Sequence, residues 1–254
     1  RRTFSETTGT PFMYSKKKPG TWASYLLCME GGMPLRKISK LLGINLSTAF
    51  SWRHKILSAA GTRIDNILTE NIEVHEFSLR ENFKGSRRIN PRFLYAGNRR
   101  LIVMLSCCDS QENIIVKTAA RKGLGNLVYE EISGILTPIV KSCKTLISSR
   151  NIAFASFARQ QKAVYCMPYS PKYHLEDFTL KNAEQQSHGF KGFLKGFRSV
   201  ASKYLTHYAN WYKLILKINA GLPAEVMGML SSCLFRLRVS EFEKVQFDGT
   251  IRYA

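Results

Sequence analysis

Residues 71–77, NIEVHEF, set two carboxylates and an imidazole within four positions. If the segment is a strand, side chains alternate between faces, so Glu73 and His75 share one face and Glu76 points to the other. At roughly 3.3 Å per residue, Glu73 and His75 lie about 7 Å apart. Imidazole favours softer metals such as Zn²⁺ or Cu²⁺. His75 is therefore open to three roles: a satisfied core histidine, a transition-metal ligand, or a residue standing where another belongs. A second group, Ser51, Arg53, His54 and Lys55 in TAFSWRHKILSA, carries types that reach phosphates and base edges. A third, Lys191, Lys195 and Arg198 in HGFKGFLKGFRSVASKYL, could clamp phosphates from one helix.

The charge balance favours a polyanionic partner for the last two groups. The chain has 254 residues and carries 38 Lys+Arg against 18 Asp+Glu, a formal charge of +20. Such an excess points first to nucleic acid. It is also uneven. Residues 1–64 hold eleven Lys/Arg and two acids, Glu6 and Glu30, and no acid occurs from Gln185 to Ala224. Two basic regions flanking a less basic middle suit a protein that holds a duplex at two places.

The six cysteines form no CxxC pair and show no disulfide-like spacing. Cys107 and Cys108, in an apolar run, read as buried free thiols, which points to a reducing compartment. No signal peptide and no bilayer-spanning apolar run is evident, so a soluble cytoplasmic protein is expected, without membrane partners. The chain opens on Arg1-Arg2 rather than Met, which points to residues upstream.

The positioning elements follow from the hydrophobic pattern. Trp22–Met29 is a short apolar helix ended by Gly31-Gly32. Pro34 suits a first helical turn, and Leu35, Ile38, Leu41 and Leu42 share one helical face. After the turn GINLS, Ser47 is a candidate N-cap for a second helix that displays Ser51, Arg53, His54 and Lys55 beside buried Phe50, Ile56 and Leu57. This is the layout of a helix-turn-helix. Arg36, Lys37, Ser47 and Thr48 complete its candidate DNA contacts. Residues 61–70 read as a linker helix.

Strands are expected at 72–77, 101–108 and 113–118, then a helix at about 124–141 and a strand at 145–148. A helix at 151–158, a strand at 164–167 and a helix at 181–197 follow. This is a mixed α/β order, and by analogy that of an RNase H-like domain. In the last helix Phe190, Phe193, Leu194, Phe197, Val200 and Ala201 read as core. Gly189, Gly192 and Gly196 are poor helix formers that either admit a DNA backbone closely or loosen the helix; the first is favoured.

Several stretches resemble bacterial insertion-sequence transposases of the DDE class. They are RTFSETTGTPF at 2–12, LRKISKLLGINLSTAFSWRHKIL at 35–57, EVHEFSLRENFKGSR at 73–87, LISSRNIAF at 146–154 and HGFKGFLKGFRSVASKYLTHYANW at 188–211. The resemblance implies an α/β RNase H-like mixed sheet flanked by helices, preceded by a small all-α helix-turn-helix domain. It divides the chain into an upstream remnant (1–20), the helix-turn-helix (21–64), the catalytic domain (65–220) and a C-terminal extension (221–254). It further implies DNA transposition: binding of terminal inverted repeats as a homodimer or larger assembly, and strand transfer through two Mg²⁺ ions held by three carboxylates. In bacteria this would place the protein on the nucleoid.

Carried over residue by residue, the family's first acid falls on His75, its second on Ser149 and its third on Glu184. Only Glu184 is a carboxylate, and so the only metal ligand expected of the three. A serine hydroxyl is a weak Mg²⁺ ligand and imidazole is a poor match for a hard cation. Mg²⁺ binding is thus doubtful and loss of strand transfer is expected. The alternative is an inactivated or domesticated transposase acting as a sequence-specific DNA-binding protein. Glu73 and Asp109 are the acids that could substitute. The resemblance also favours DNA contact by Lys191, Lys195, Arg198 and Lys203. Residues 1–12 look like the tail of the family's zinc ribbon without its cysteines, so no structural zinc is expected.

Overall fold

A computed structural model describes residues 7–8, 10–62, 67–83, 101–122, 126–149, 151–168 and 178–217. The chain divides into two compact units. One comprises residues up to Ile64 together with the stretch from Gly192; the other runs Asp65–Lys191.

The first unit opens with three helices: α1 (Pro19–Glu30), α2 (Leu35–Leu41) and α3 (Leu46–Thr62). Pro19 sits in the first turn of α1, where its missing N–H costs nothing. Gly32, at φ +66°, turns the chain after α1, and Gly43, at φ +57°, turns it between α2 and α3. Asn45, not Ser47, caps α3: its side-chain oxygen accepts the Ser47 N–H at 2.9 Å. The core is aromatic. Trp22 stacks on Trp52 with ring centroids 3.6 Å apart, and Phe12 and Tyr25 meet this pair edge-on.

The expected linker helix does not hold. Its first residues extend α3 to Thr62, but Leu68 forms a parallel bridge with Val140 and Glu70 has φ +63°. Residues 63–66 lie outside the described residues. Helix α7 (Leu205–Lys217), which the hydrophobic pattern did not announce, packs against α3 in the first unit. A short 3-10 turn, Ser202–Tyr204, leads into it.

The second unit is α/β. Its strands are β1 (Asn71–Arg80), β2 (Leu101–Asp109), β3 (Ile114–Lys122), β4 (Thr145–Ser148) and β5 (Val164–Cys166). They form one mixed sheet in the order β3-β2-β1-β4-β5. β1–β2 and β2–β3 are antiparallel, while β1–β4 and β4–β5 are parallel. A five-stranded mixed sheet of this kind, flanked by helices, is compatible with an RNase H-like fold. Helices α4 (Tyr129–Leu136) and α5 (Ala153–Gln160) cover one face. There Ile132, Leu136, Phe154 and Phe157 pack on Ile72, Val74, Leu105, Cys107 and Leu146. On the other face, Cys108, Ile147 and Cys166 lie beneath Leu180 and Ala183, at the start of α6 (Lys181–Gly196).

α4 is shorter than the expected 124–141 helix because Pro138 cannot continue it, and Val140 turns into the bridge with Leu68. Cys107 and Cys108 are buried free thiols; burial, then the Glu73 and Asp109 carboxylates, push the Cys108 thiol up to about 12. No helix among the described residues is long and apolar enough to cross a membrane.

Candidate functional site

The β1–β4 ladder decides which side chains meet. Val74 pairs with Ser148, and Val74 faces α4 and α5. Glu73, His75 and Phe77 therefore face α6. Opposite His75 on β2 stands Ser106, fully buried, its hydroxyl without a hydrogen-bond partner. β4 ends at Ser148, and Ser149 continues it. The Ser149 N–H donates to the Val74 carbonyl at 3.2 Å, and its Oγ accepts the Glu76 N–H at 3.2 Å. Ser149 is thus sewn to β1 on both sides of His75.

Helix α6 supplies the third wall. Its buried Ser187 hydroxyl donates to the Glu184 carbonyl at 2.7 Å. A hydroxyl has one proton, so in the 3.1 Å contact with Ser187 Oγ it is His75 Nδ1–H that donates. This leaves His75 Nε2 as the ring's lone-pair nitrogen. Burial depresses the His75 pKa below its ordinary value, the Glu184 carboxylate opposes that shift, and Lys191 and His188 reinforce it. His75 is accordingly neutral at pH 7. Phe77, two residues along the same face, packs edge-on against Phe190, and Lys191 Nζ lies 5.1 Å from the Phe77 ring centre.

These donors do not fit the pair of Mg²⁺ ions that the transposase resemblance implies. The site offers one carboxylate, one neutral imidazole tied to Ser187, and one hydroxyl tied to backbone. Nor can neighbouring acids take over. Glu73 accepts from Asn182 Nδ2 at 2.8 Å and from the Ala183 N–H at 3.0 Å, capping α6. Glu76 faces away and accepts from Asn151 Nδ2 at 2.9 Å. Asp109 accepts from the Thr69, Gln111 and Asn113 backbones and from Asn113 Nδ2, which holds the β2–β3 turn. Among the described residues no group of three or more His, Cys, Asp or Glu is disposed to hold a metal.

Sequence reasoning did not single out Asn151, Asn182 or Ser187. Asn151 is buried, donates to both Glu76 and the Leu127 carbonyl, and accepts the Ala153 N–H at the start of α5. Ser187, three residues after Glu184 on α6, carried a signal only through that spacing. The Glu73 cap yields a prediction. Glu73→Ala should destabilise the second unit by about 1–2 kcal/mol, because it removes a carboxylate from a helix N-terminus and orphans the Ala183 N–H. Urea unfolding followed by circular dichroism measures this; an unchanged midpoint would mean α6 does not depend on the cap.

The expected DNA contacts separate into two sets. Arg36, Lys37 and Ser47 are exposed, and Thr48, Ser51 and Lys55 are partly exposed. Arg53 and His54, expected on the displayed face of α3, are buried. Arg53 donates from Nη2 to the Met33 carbonyl at 2.6 Å and lies 4.9 Å from the Phe197 ring centre. His54 is sandwiched between Phe50 and Tyr204. Both belong to the core of the helical unit, so neither can reach a base edge. Lys195 and Arg198 are exposed, Lys191 and Lys203 partly so. Gly196 is exposed, but its Cβ direction is taken by the chain itself: a Cβ there would fall 2.9 Å from the Gly32 carbonyl oxygen. Gly192 faces open space.

No protein-family model matches the chain, and no curated protein matches it.

Proposed function

We propose that this chain is a relative of DDE-class transposases that binds duplex DNA and does not carry out strand transfer. What supports the reading is one juxtaposition: the three positions at which the family carries its acids, His75, Ser149 and Glu184, lie on β1, just after β4 and on α6, around the junction of two adjacent parallel strands. In open α/β sheets that junction, where connections diverge, is where ligands bind. An RNase H-like sheet in the order β3-β2-β1-β4-β5 brings such residues together, whereas an arbitrary α/β fold need not.

The α2–α3 pair is read as a helix-turn-helix, with Arg36, Lys37, Ser47, Thr48, Ser51 and Lys55 as its contact set. Transposon ends are the proposed DNA, bound by a homodimer or larger assembly. The chemistry is read as lost, because one carboxylate cannot hold two Mg²⁺ ions.

The test has two stages. Selection from a randomised duplex pool should retrieve a defined motif, and Arg36→Gln with Lys37→Gln should abolish that selection. The chain as it stands should then neither cut nor join duplexes bearing the motif, in Mg²⁺ or Mn²⁺. His75→Asp with Ser149→Asp should gain both reactions, and adding Glu184→Ala should remove them. Recovery of no motif would sink the DNA-binding reading. Cleavage by the unaltered chain that disappears on Glu184→Ala would sink the inactive reading.

A further inference from the structure

We infer that Tyr14, with Lys16, Lys17 and Lys18 beside it, forms a binding site for single-stranded DNA, in which the ring stacks on an unpaired base and the lysines hold the adjoining phosphates. The site is separate from the α2–α3 contact set and rests on the reading above only for the choice of DNA. Tyr14 is 90% exposed, so its ring contributes nothing to the core. Its backbone stands at φ +63°, a left-handed conformation that Gly or Asn adopts readily and a bulky residue rarely does. Neither packing nor backbone preference accounts for a tyrosine at this position. A backbone outlier that carries a large exposed ring points to a ligand.

The segment is fixed on both sides of that ring. Phe12 is buried and meets Trp22 edge-on, with ring centroids 4.8 Å apart. The Ser15 N–H donates to the Phe12 carbonyl at 3.1 Å, and Ser15 Oγ accepts from Trp22 Nε1 at 3.0 Å and from the Lys17 N–H at 3.2 Å. A ring presented from so anchored a turn loses little freedom when it stacks. Lys16, Lys17 and Lys18 are all exposed, and the sequence from Thr7 to Met29 holds no Asp or Glu to oppose an anion there. Stacking needs an open base face, which a duplex hides within its own stack and an unpaired strand presents. The three ammonium groups supply the charge that the phosphates of such a strand require. An apolar protein surface would use the ring and leave the lysines idle.

The experiment is fluorescence anisotropy of the full chain at fixed ionic strength, against a labelled oligothymidylate and an abasic strand of equal length and charge. The unaltered chain should bind the thymidine strand about tenfold more tightly, the size of one stacked base. Tyr14→Ala should remove that difference, and Tyr14→Phe, which keeps the ring face, should retain it. Tyr14→Asn, suited to the left-handed backbone, should lose the difference while its unfolding midpoint holds or rises, which separates loss of the ring from misfolding. Lys16→Gln, Lys17→Gln and Lys18→Gln together should lower the salt slope of binding by about 2, at roughly 0.7 per phosphate contact on a single strand. The inference falls if Tyr14→Ala still distinguishes the two strands, or if the unaltered chain binds the abasic strand as tightly as the thymidine one. Tighter binding of the matching uridine RNA would overturn the assignment to DNA. Duplex selection through Arg36 and Lys37 would survive each of these results, and its failure with stacking intact would overturn only the helix-turn-helix reading.

Discussion

Acidification from pH 7 to pH 4.5 should destabilise the helical unit by about 2–3 kcal/mol through His54 alone. His54 is buried between the rings of Phe50 and Tyr204, at 4.3 and 4.1 Å between centroids. Burial, followed by repulsion from His207, Arg53 and Lys203, lowers its pKa from 6.5 to about 3. The folded protein therefore holds His54 neutral while the unfolded chain protonates it below about pH 6.5. Between these two values the unfolded state binds more protons, so stability rises with pH. It is full above about 6.5, falls as pH drops, and levels near 3. His207, whose pKa burial also lowers, adds in the same direction. All three tryptophans, Trp22, Trp52 and Trp211, belong to this unit, so their fluorescence reports its unfolding. Denaturant titrations across pH 4.5–7.5 should show the loss, and His54→Phe, which keeps a ring and removes the proton site, should flatten the profile. If the variant's profile ran parallel to that of the unaltered chain, His54 would not be the titrating group.

Phe154→Ala should cost the second unit about 3–5 kcal/mol, the range for truncating a fully buried aromatic. Phe154 is completely buried in the core under α5. Its N–H also donates to the Asn151 carbonyl at 3.2 Å, and Asn151 in turn ties Glu76 to Leu127. The cavity would therefore open beside the corner that places Ser149 next to His75. At a urea slope of about 2 kcal/mol/M, the midpoint should fall by about 2 M. This unit contains no tryptophan, so amide exchange along β1 and β4 is the readout, with protection lost at both strands together. Phe154→Leu should recover part of the loss, since it leaves a smaller void. A cost below about 1 kcal/mol for the alanine variant would mean this core is not closed at α5.

The two variants probe different kinds of residue, and the difference shows where sequence reasoning succeeds. Period-two alternation in NIEVHEF and the β-rich run LIVMLSCC announced β1 and β2, since apolar burial is enforced residue by residue along a strand. The helices expected at 151–158 and 181–197 appear for the same reason, as α5 from Ala153 and α6 from Lys181, and the approximate order of all five strands along the chain was readable. Helix ends were less so: Pro138 ended α4 early, and the linker helix gave way to a bridge at Leu68.

What linear spacing could not decide was which charged residues on a helix become core. Arg53 and His54 carry the same residue types as a DNA-contacting face, and their burial depends on the carbonyl of Met33 and the ring of Tyr204, distant in sequence. The same holds at the site. Sequence alone established that Glu184 stands where the resemblance expects an acid and that His75 and Ser149 do not supply the other two. Only the tertiary structure showed that Glu73, Glu76 and Asp109 are already committed, because hydrogen-bond partners separated by up to 110 positions are set by how the chain folds back, not by its local pattern.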